Sequence, residues 1–334
     1  MTTEGPSPRV TVREPAGPYP LRVATVTREA DAVISVTLRD PEGRDLPVWA
    51  PGAHVDLYLP SGRIRQYSLC GRPDNRAEYR IAVLREQAGR GGSAEIHDLP
   101  LTGKQLQVRG PRNHFPLRDS PRYLFIAGGI GVTPLLPMIA ELGNSRPWAM
   151  YYAGRTRASM AFAADTVRMG GDRVHLRPKD EAGRLNLDGI AATADAGTAV
   201  YCCGPPGLLR AAEDACRRLA PAASFHAERF VPGEPVPEKA PRGEEDRPFQ
   251  VELRRSGLTL QVPAGRTLLG VVREAIPDMP YSCEEGYCGT CETTVLGGQP
   301  DHRDEILSPE ERAEGKSMMI CISRARSETL VLDL

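Results

Sequence analysis

The sequence predicts a multidomain chain: an antiparallel β-barrel, then a doubly wound α/β sheet, then a short α+β unit. Three observations carry this: the length, a change of element pattern near residue 119, and a proline-rich break near residue 231. At 334 residues the chain exceeds what one hydrophobic core usually serves. Residues 17–118 hold short alternating or β-branched runs, Arg22–Val26, Val33–Leu38, His54–Leu59 and Tyr79–Leu84. Turns such as Pro41-Glu42-Gly43 and Pro60-Ser61-Gly62 separate them. Strands of that length with no helical pattern between them suit a small antiparallel barrel.

Residues 119–230 change character. The apolar run Tyr123–Ala127 leads into a glycine loop and a helix candidate, Thr133–Leu142. Short strands at Trp148–Tyr152, Val174–Leu176 and Ala199–Cys202 then alternate with helix candidates Ala158–Arg168 and Pro206–Leu219. Such alternation predicts an open parallel sheet. Residues 231–247 contain four prolines in a mixed-charge stretch that builds no core, and read as a linker. In the last unit, 248–334, a hairpin (Phe249–Arg254 with Gly257–Val262) precedes a helix candidate, Thr267–Ala275, and a cysteine-rich loop.

Hydrophobic residues, 40% of the chain, suffice for several small cores. A net charge of −1 gives nucleic acid or a membrane surface nothing to attract it. The longest apolar runs, Tyr123–Ala127 and Val132–Ala140, fall short of the ~20 residues of a membrane span. No charged-then-apolar segment opens the chain, and the expected setting is a reducing cytoplasm. There, clustered thiols argue for metal rather than disulfides.

Cys283, Cys288 and Cys291, with Cys321 thirty residues on, give C-x4-C-x2-C…C. A 2Fe–2S core takes four thiolates, two per iron, and this is the plant-type spacing. Gly286 and Gly289 let the backbone curl around it. Structural zinc usually takes paired C-x2-C knuckles, and only one pair exists here. Residues 247–334 carry 14 acidic and 10 basic side chains, and Glu284 and Glu285 flank the cluster, as a partner-orienting or merely solvated pair. Cys70, Cys202 and Cys216 read as structural, and the six histidines as surface or structural residues.

In Arg65-Gln66-Tyr67-Ser68 an aromatic face suits a flavin ring, a hydroxyl its edge, and an arginine a phosphate. Gly89-Arg90-Gly91-Gly92-Ser93 precedes a helix candidate, Ala94–Leu99, whose start favours an anion. Gly128-Gly129-Ile130-Gly131-Val132-Thr133-Pro134 follows a strand directly, as a pyrophosphate turn does. Pro134 stands where the Rossmann fingerprint has its third glycine, and suits a first helical turn. Cys203-Gly204-Pro205 likewise ends a strand and opens a helix.

Taken in this order, these motifs resemble the ferredoxin-reductase superfamily, and specifically the phthalate dioxygenase reductase and vanillate demethylase reductase family. The resemblance runs end to end, and residues 249–334 are similar to plant-type ferredoxins, implying a β-grasp fold. It implies that Arg65, Tyr67 and Ser68 hold the flavin, Ala82, Val83 and Leu84 line its ring, and Gly91, Gly92 and Ser93 take its phosphate. Gly128, Gly129, Gly131, Thr133 and Pro134, with Cys203, Gly204 and Pro205, would hold the nicotinamide cofactor. Ser68 and Cys203 are the expected catalytic pair, and Phe230, in Glu228-Arg229-Phe230, covers the flavin by the same resemblance.

The family's order, with the ferredoxin unit last, implies FMN, whereas related reductases with that unit first usually carry FAD. NADH and NADPH stay open: Arg155 and Arg157 lie where a 2′-phosphate would be read, with no acidic residue adjacent in sequence, yet the family largely prefers NADH. A hydride carries two electrons and an oxygenase metal takes one at a time, an exchange that flavin performs and a 2Fe–2S centre relays. The expected acceptor is a terminal oxygenase, Rieske-type or haem-thiolate, and the expected state a monomer. The alternative, an iron–sulfur redox-sensing regulator, needs a recognition module, and neither a helix-turn-helix candidate nor a basic patch is evident.

Overall fold

The computed structural model describes residues 17–86, 91–230 and 246–334, apart from 278, 282, 285, 287 and 305. Gly89, Arg90, Glu285 and most of the expected linker lie outside the described residues.

Six antiparallel strands form the first unit: β1 (Tyr19–Ala30), β2 (Val33–Arg39), β3 (His54–Tyr58), β4 (Ile64–Ser68), β5 (Tyr79–Leu84) and β6 (Gln105–Arg112). Their order is β4-β3-β6-β1-β2-β5, and a bridge between Leu69 and Ile81 joins the two edges. The sheet thereby closes on itself, around Val23, Val36, Val55, Ile81, Val83 and Val108. Helix α1 (Gly92–Asp98) lies between β5 and β6.

The second unit is wholly parallel, in order β11-β10-β7-β8-β9. Its strands are β7 (Arg122–Gly128), β8 (Trp148–Gly154), β9 (Val174–Pro178), β10 (Thr198–Cys203) and β11 (Ser224–Glu228). Helices α2 (Leu135–Leu142), α3 (Ala163–Gly170), α4 (Lys179–Ala182), α5 (Leu187–Ala191) and α6 (Pro206–Leu219) connect them. The central strands β7 and β10 are nearly continuous apolar runs because both faces are covered. Strand order reverses between them, and ligands of such sheets bind at that switch point, beyond the carboxyl ends of the strands.

Two helices start later than their sequence pattern suggests. Gly129–Val132 winds as a 3-10 turn, so α2 begins only at Leu135, with Pro134 capping it. Within the expected Ala158–Arg168 helix, Asp31 of the barrel donates its N–H to the Ala158 carbonyl at 2.9 Å. Phe162 then turns left-handed, and α3 starts at Ala163. A tertiary contact here overrides local propensity.

The third unit is a mixed sheet, β13-β12-β18-β14-β16. Its elements are β12 (Phe249–Leu253), β13 (Leu258–Val262), α7 (Leu268–Ala275), β14 (Glu292–Gly297), β15 (Pro300–Asp301), α8 (Pro309–Glu314), β16 (Ser317–Met319), β17 (Arg324–Ala325) and β18 (Thr329–Leu332). The Thr267 side chain caps α7 through the Gly270 N–H. Leu268, Leu269 and Val272 on that helix join Val251, Leu253 and Leu330 of the sheet in one core. A mixed sheet holding one helix is the β-grasp arrangement.

The first two units share a core. Val33, Cys70 and Ala82 from the barrel pack with Phe115, Phe125, Leu135 and Tyr152. The connection is further tied by Tyr201, whose hydroxyl donates to the Pro116 carbonyl at 2.9 Å and accepts from the Arg118 N–H at 2.8 Å.

Candidate functional site

On β4, alternation puts Arg65 and Tyr67 on one face and Gln66 and Ser68 on the other. Arg65 runs directly over Gly92: a Cβ there would stand 2.3 Å from its Nε. Gly91 adopts φ 81, a left-handed conformation suited to glycine, at the start of α1. The structure thus brings together the arginine and the glycines expected at a phosphate. The Ser93 hydroxyl accepts the Glu86 N–H at 3.0 Å. Tyr67 packs against the barrel core, where burial pushes its phenol pKa up. Alternation also divides the expected ring-lining trio. Ala82 and Leu84 face the core shared with the α/β unit, whereas the Val83 side chain points into the barrel.

The two motifs expected at a nicotinamide meet at the switch point. A Cβ on Gly131 would lie 2.2 Å from the Cys203 carbonyl oxygen, and one on Gly204 would lie 2.9 Å from the Gly128 Cα. The loops touch backbone to backbone, which only glycine allows. Gly128 also packs against Pro205, and Gly129, at φ 55, faces open space. Thr133 is buried and donates its hydroxyl to the Ile130 carbonyl at 3.0 Å. Arg155 and Arg157 are exposed on the loop after β8. Glu181 reaches that loop and pairs with Arg157 at 3.2 Å, so a carboxylate stands there that sequence adjacency did not reveal.

Glu228, at the carboxyl end of β11, joins the two sets. The Ser68 hydroxyl donates to its Oε2 at 3.4 Å, and the Cys203 Sγ lies 4.0 Å from the same oxygen. Burial raises the Glu228 carboxyl to about 8, with the Ser68 hydrogen bond pulling the other way. Burial, then Glu228 itself, raises the Cys203 thiol well above its usual range. Phe230, two residues on, is half-buried.

The four remaining motif cysteines are buried, and their thiols converge: Cys283 contacts Cys288 and Cys321, and Cys321 contacts Cys291. Glu284, Gly286 and Gly289 take positive φ, curling the loop around them. A Cβ on Gly286 would strike Ile322 at 2.6 Å, and the Thr290 hydroxyl lies 3.3 Å from the Cys288 Sγ. Four convergent buried thiols in a tight glycine loop fit a 2Fe–2S core.

This loop abuts the barrel. Gln66 donates its Nε2 hydrogen to the Cys288 carbonyl at 2.5 Å, and His114 lies against Gly289. A cavity of about 70 Å³ at the junction draws on all three units: His54, Gln66 and His114; Glu228 and Arg229; Ile306.

A 2Fe-2S iron-sulfur cluster binding domain model matches residues 251–326. The phenoxybenzoate dioxygenase subunit beta of Ectopseudomonas oleovorans is 44% identical over 320 residues, 95% of this chain and 98% of that one. The solved structure of phthalate dioxygenase reductase, described as modular for electron transfer from pyridine nucleotides to [2Fe-2S], is 34% identical with a TM-score of 0.67. That match covers 95% of this chain and 98% of the other. The chain belongs to the phthalate dioxygenase reductase family. An intact type IV self-sufficient cytochrome P450 monooxygenase also aligns at 42% identity and TM-score 0.84 over 95% of this reductase, which spans 41% of that longer chain.

Sequence reading of the reductase undervalued several of these residues. Glu228 was placed only as a neighbour of Phe230, and its partner Ser68 lies 160 residues away. Gln66 passed as a spacer between motif residues. His54, buried, and His114, half-buried, both expected at the surface or in a structural role, stack at 5.4 Å in the junction. For Glu228 the available signal was its Glu-x-Phe setting; the other three carried none in the local pattern.

Proposed function

We propose that this reductase takes a hydride from NADH or NADPH onto FMN and passes the electrons singly, through a 2Fe–2S cluster, to a terminal oxygenase. One observation carries the reading: the single strand β4 touches both neighbouring centres. Its Ser68 reaches Glu228, the carboxylate that Cys203 also meets at the nucleotide switch point, and its Gln66, two residues earlier, reaches Cys288 of the cluster loop. Arg65 with Gly91, Gly92 and Ser93 would hold the flavin phosphate. Tyr67, Ser68, Ala82, Leu84 and Phe230, with the backbone of Val83, would surround its ring. Gly128, Gly129, Gly131, Thr133, Pro134, Cys203, Gly204 and Pro205 would form the nucleotide site, with Arg155 and Arg157 at its ribose end. Cys283, Cys288, Cys291 and Cys321 would hold the cluster. Bound flavin supplies the exchange of a two-electron hydride for single electrons.

In this reading Ser68 and Glu228 hold a proton where the ring edge would lie, and the buried Cys203 thiol stays uncharged beside the incoming nicotinamide. We assign residues 17–118 to flavin, 119–230 to nucleotide, 231–247 to the linker and 248–334 to the cluster. The reductase acts as a cytoplasmic monomer that meets its oxygenase, Rieske-type or haem-thiolate, transiently, without nucleic acid or membrane. Anaerobic stopped-flow mixing with NADH, and separately NADPH, tests this by following flavin and cluster absorbance together. Flavin bleaching followed by cluster bleaching is expected, and the faster nucleotide is the donor. An intact cluster that stays oxidised while flavin bleaches would refute the relay.

A further inference from the structure

β4 runs antiparallel to β3 with Gln66 directly opposite Asp56. Asp56 is fully buried and held by Arg112 Nη2 at 2.6 Å, with the Gln66 side chain beside it. The Gln66 amide nitrogen donates to the Cys288 carbonyl 2.5 Å away. Strand pairing on the outer face of the barrel, beside the buried Asp56, therefore fixes the direction in which Gln66 points.

Beside it the Nε2–Cδ2 edge of the His114 ring meets the loop at Gly289. A Cβ on Gly289 would stand 2.8 Å from its Nε2 and 3.3 Å from Ile306 Cδ1, so no larger side chain fits between loop and imidazole. His114 is backed by His54 at 5.4 Å and faces Glu292 of β14 at 4.0 Å. Hydrogen bond, ring contact and facing carboxylate all fall on 288–292, the stretch that carries two cluster ligands.

We propose that Gln66 and His114 form a built seat for the cluster loop, with Gln66 the positioning residue that holds the Cys288 peptide against the flavin strand for electron exit. The proposal deepens the relay reading and rests on it. No bond forms or breaks in the step: reduced flavin gives up one electron, the cluster gains it, and the nucleotide has supplied it. A docked loop keeps donor and acceptor at one separation, whereas an undocked one must find it anew for each electron.

Gln66→Met keeps the length and loses the donor, and His114→Ala removes the ring. Each, in flavin- and cluster-loaded full-length protein, is compared with the unmodified chain in two measurements. The first is single-turnover stopped-flow, separating flavin reduction by NADH from cluster reduction by flavin. The second is amide hydrogen exchange across 288–292. One net hydrogen bond shifts a docking equilibrium about fivefold. Flavin reduction is expected to stay within about twofold, cluster reduction to slow about fivefold, and exchange at 288–292 alone to rise by a similar factor. Unchanged exchange in both variants overturns the seat, and raised exchange with unaltered cluster reduction overturns its part in electron exit. If Gln66→Met fails to fold, His114→Ala decides alone. If the unmodified protein transfers nothing from flavin to cluster, the relay reading fails, and exchange still decides whether the seat exists.

Discussion

Burial holds the Glu228 carboxyl protonated at neutral pH, up to about 8 against an unfolded value near 4.5, despite the Ser68 hydrogen bond that favours its charged form. Between those two values the folded chain keeps a proton that the unfolded chain has released. Stability from this group is therefore greatest below about pH 4.5, declines as pH rises through the window, and levels off above about 8. Cys203, also shifted upward by burial, adds the same sign only above the ordinary thiol range. Glu228→Gln has no proton to lose, so its Tm should fall less than that of the unmodified protein between pH 5 and 8. Parallel Tm profiles over that range would mean that Glu228 is charged in the fold. At the cluster, Cys321 contacts Cys283 and Cys291, so Cys321→Ser removes the thiol that bridges the two. Iron should drop from about two per chain towards none. The visible cluster band should vanish while NADH still bleaches the flavin. Retention of both irons would show that another group ligates.

At the scale of elements, tight apposition explains why glycines sit where they do. Gly131→Ala would press a methyl onto the Cys203 carbonyl oxygen, 2.2 Å away, with backbone on both sides and nothing flexible to yield. Overpacking of that kind costs about 1–3 kcal/mol. It would also part the two loops that make the nucleotide site. Nucleotide-driven flavin reduction should fall at least tenfold, while chemical reduction with dithionite still fills flavin and cluster. Equal losses by both routes would place the damage elsewhere. Glycine turns and cysteine spacing were legible in the sequence because each is one short segment doing one job, as were the strands feeding them. Contacts between units were not. Gln66 and Cys288 stand 222 residues apart, and nothing in the pattern around either announces the other. Glu181 escaped notice for the same reason, since it reaches Arg157 from helix α4. The late start of α3 was hidden too, because the barrel takes the Ala158 carbonyl.

At the scale of the molecule, the cores are not shared evenly. Val33, Cys70 and Ala82 of the barrel belong to the same apolar cluster as Phe125, Leu135 and Tyr152 of the parallel sheet, so neither unit can open without exposing the other. Arg80 of the barrel also lies 4.9 Å from the Phe162 ring centroid, and cation–π contact of that kind adds to the bond between them. Among the described residues the C-terminal core, by contrast, draws on 249–334 alone and meets the barrel through the small polar seam at Gln66 and His114. Cooperativity follows shared buried surface. Barrel and parallel sheet should therefore unfold as one transition and the cluster unit as another. Scanning calorimetry of the loaded protein, with flavin fluorescence and cluster absorbance followed alongside, separates them. Removing iron with a chelator should move the cluster-unit transition down by several degrees, because metal binding there is also folding energy. The flavin-reporting transition should move by no more than a degree or so, since among the described residues it loses a hydrogen bond, a ring contact and a carboxylate facing His114 at 4.0 Å. A single transition, shifting as a whole when iron is removed, would mean that the seam couples the units far more strongly than its contacts account for.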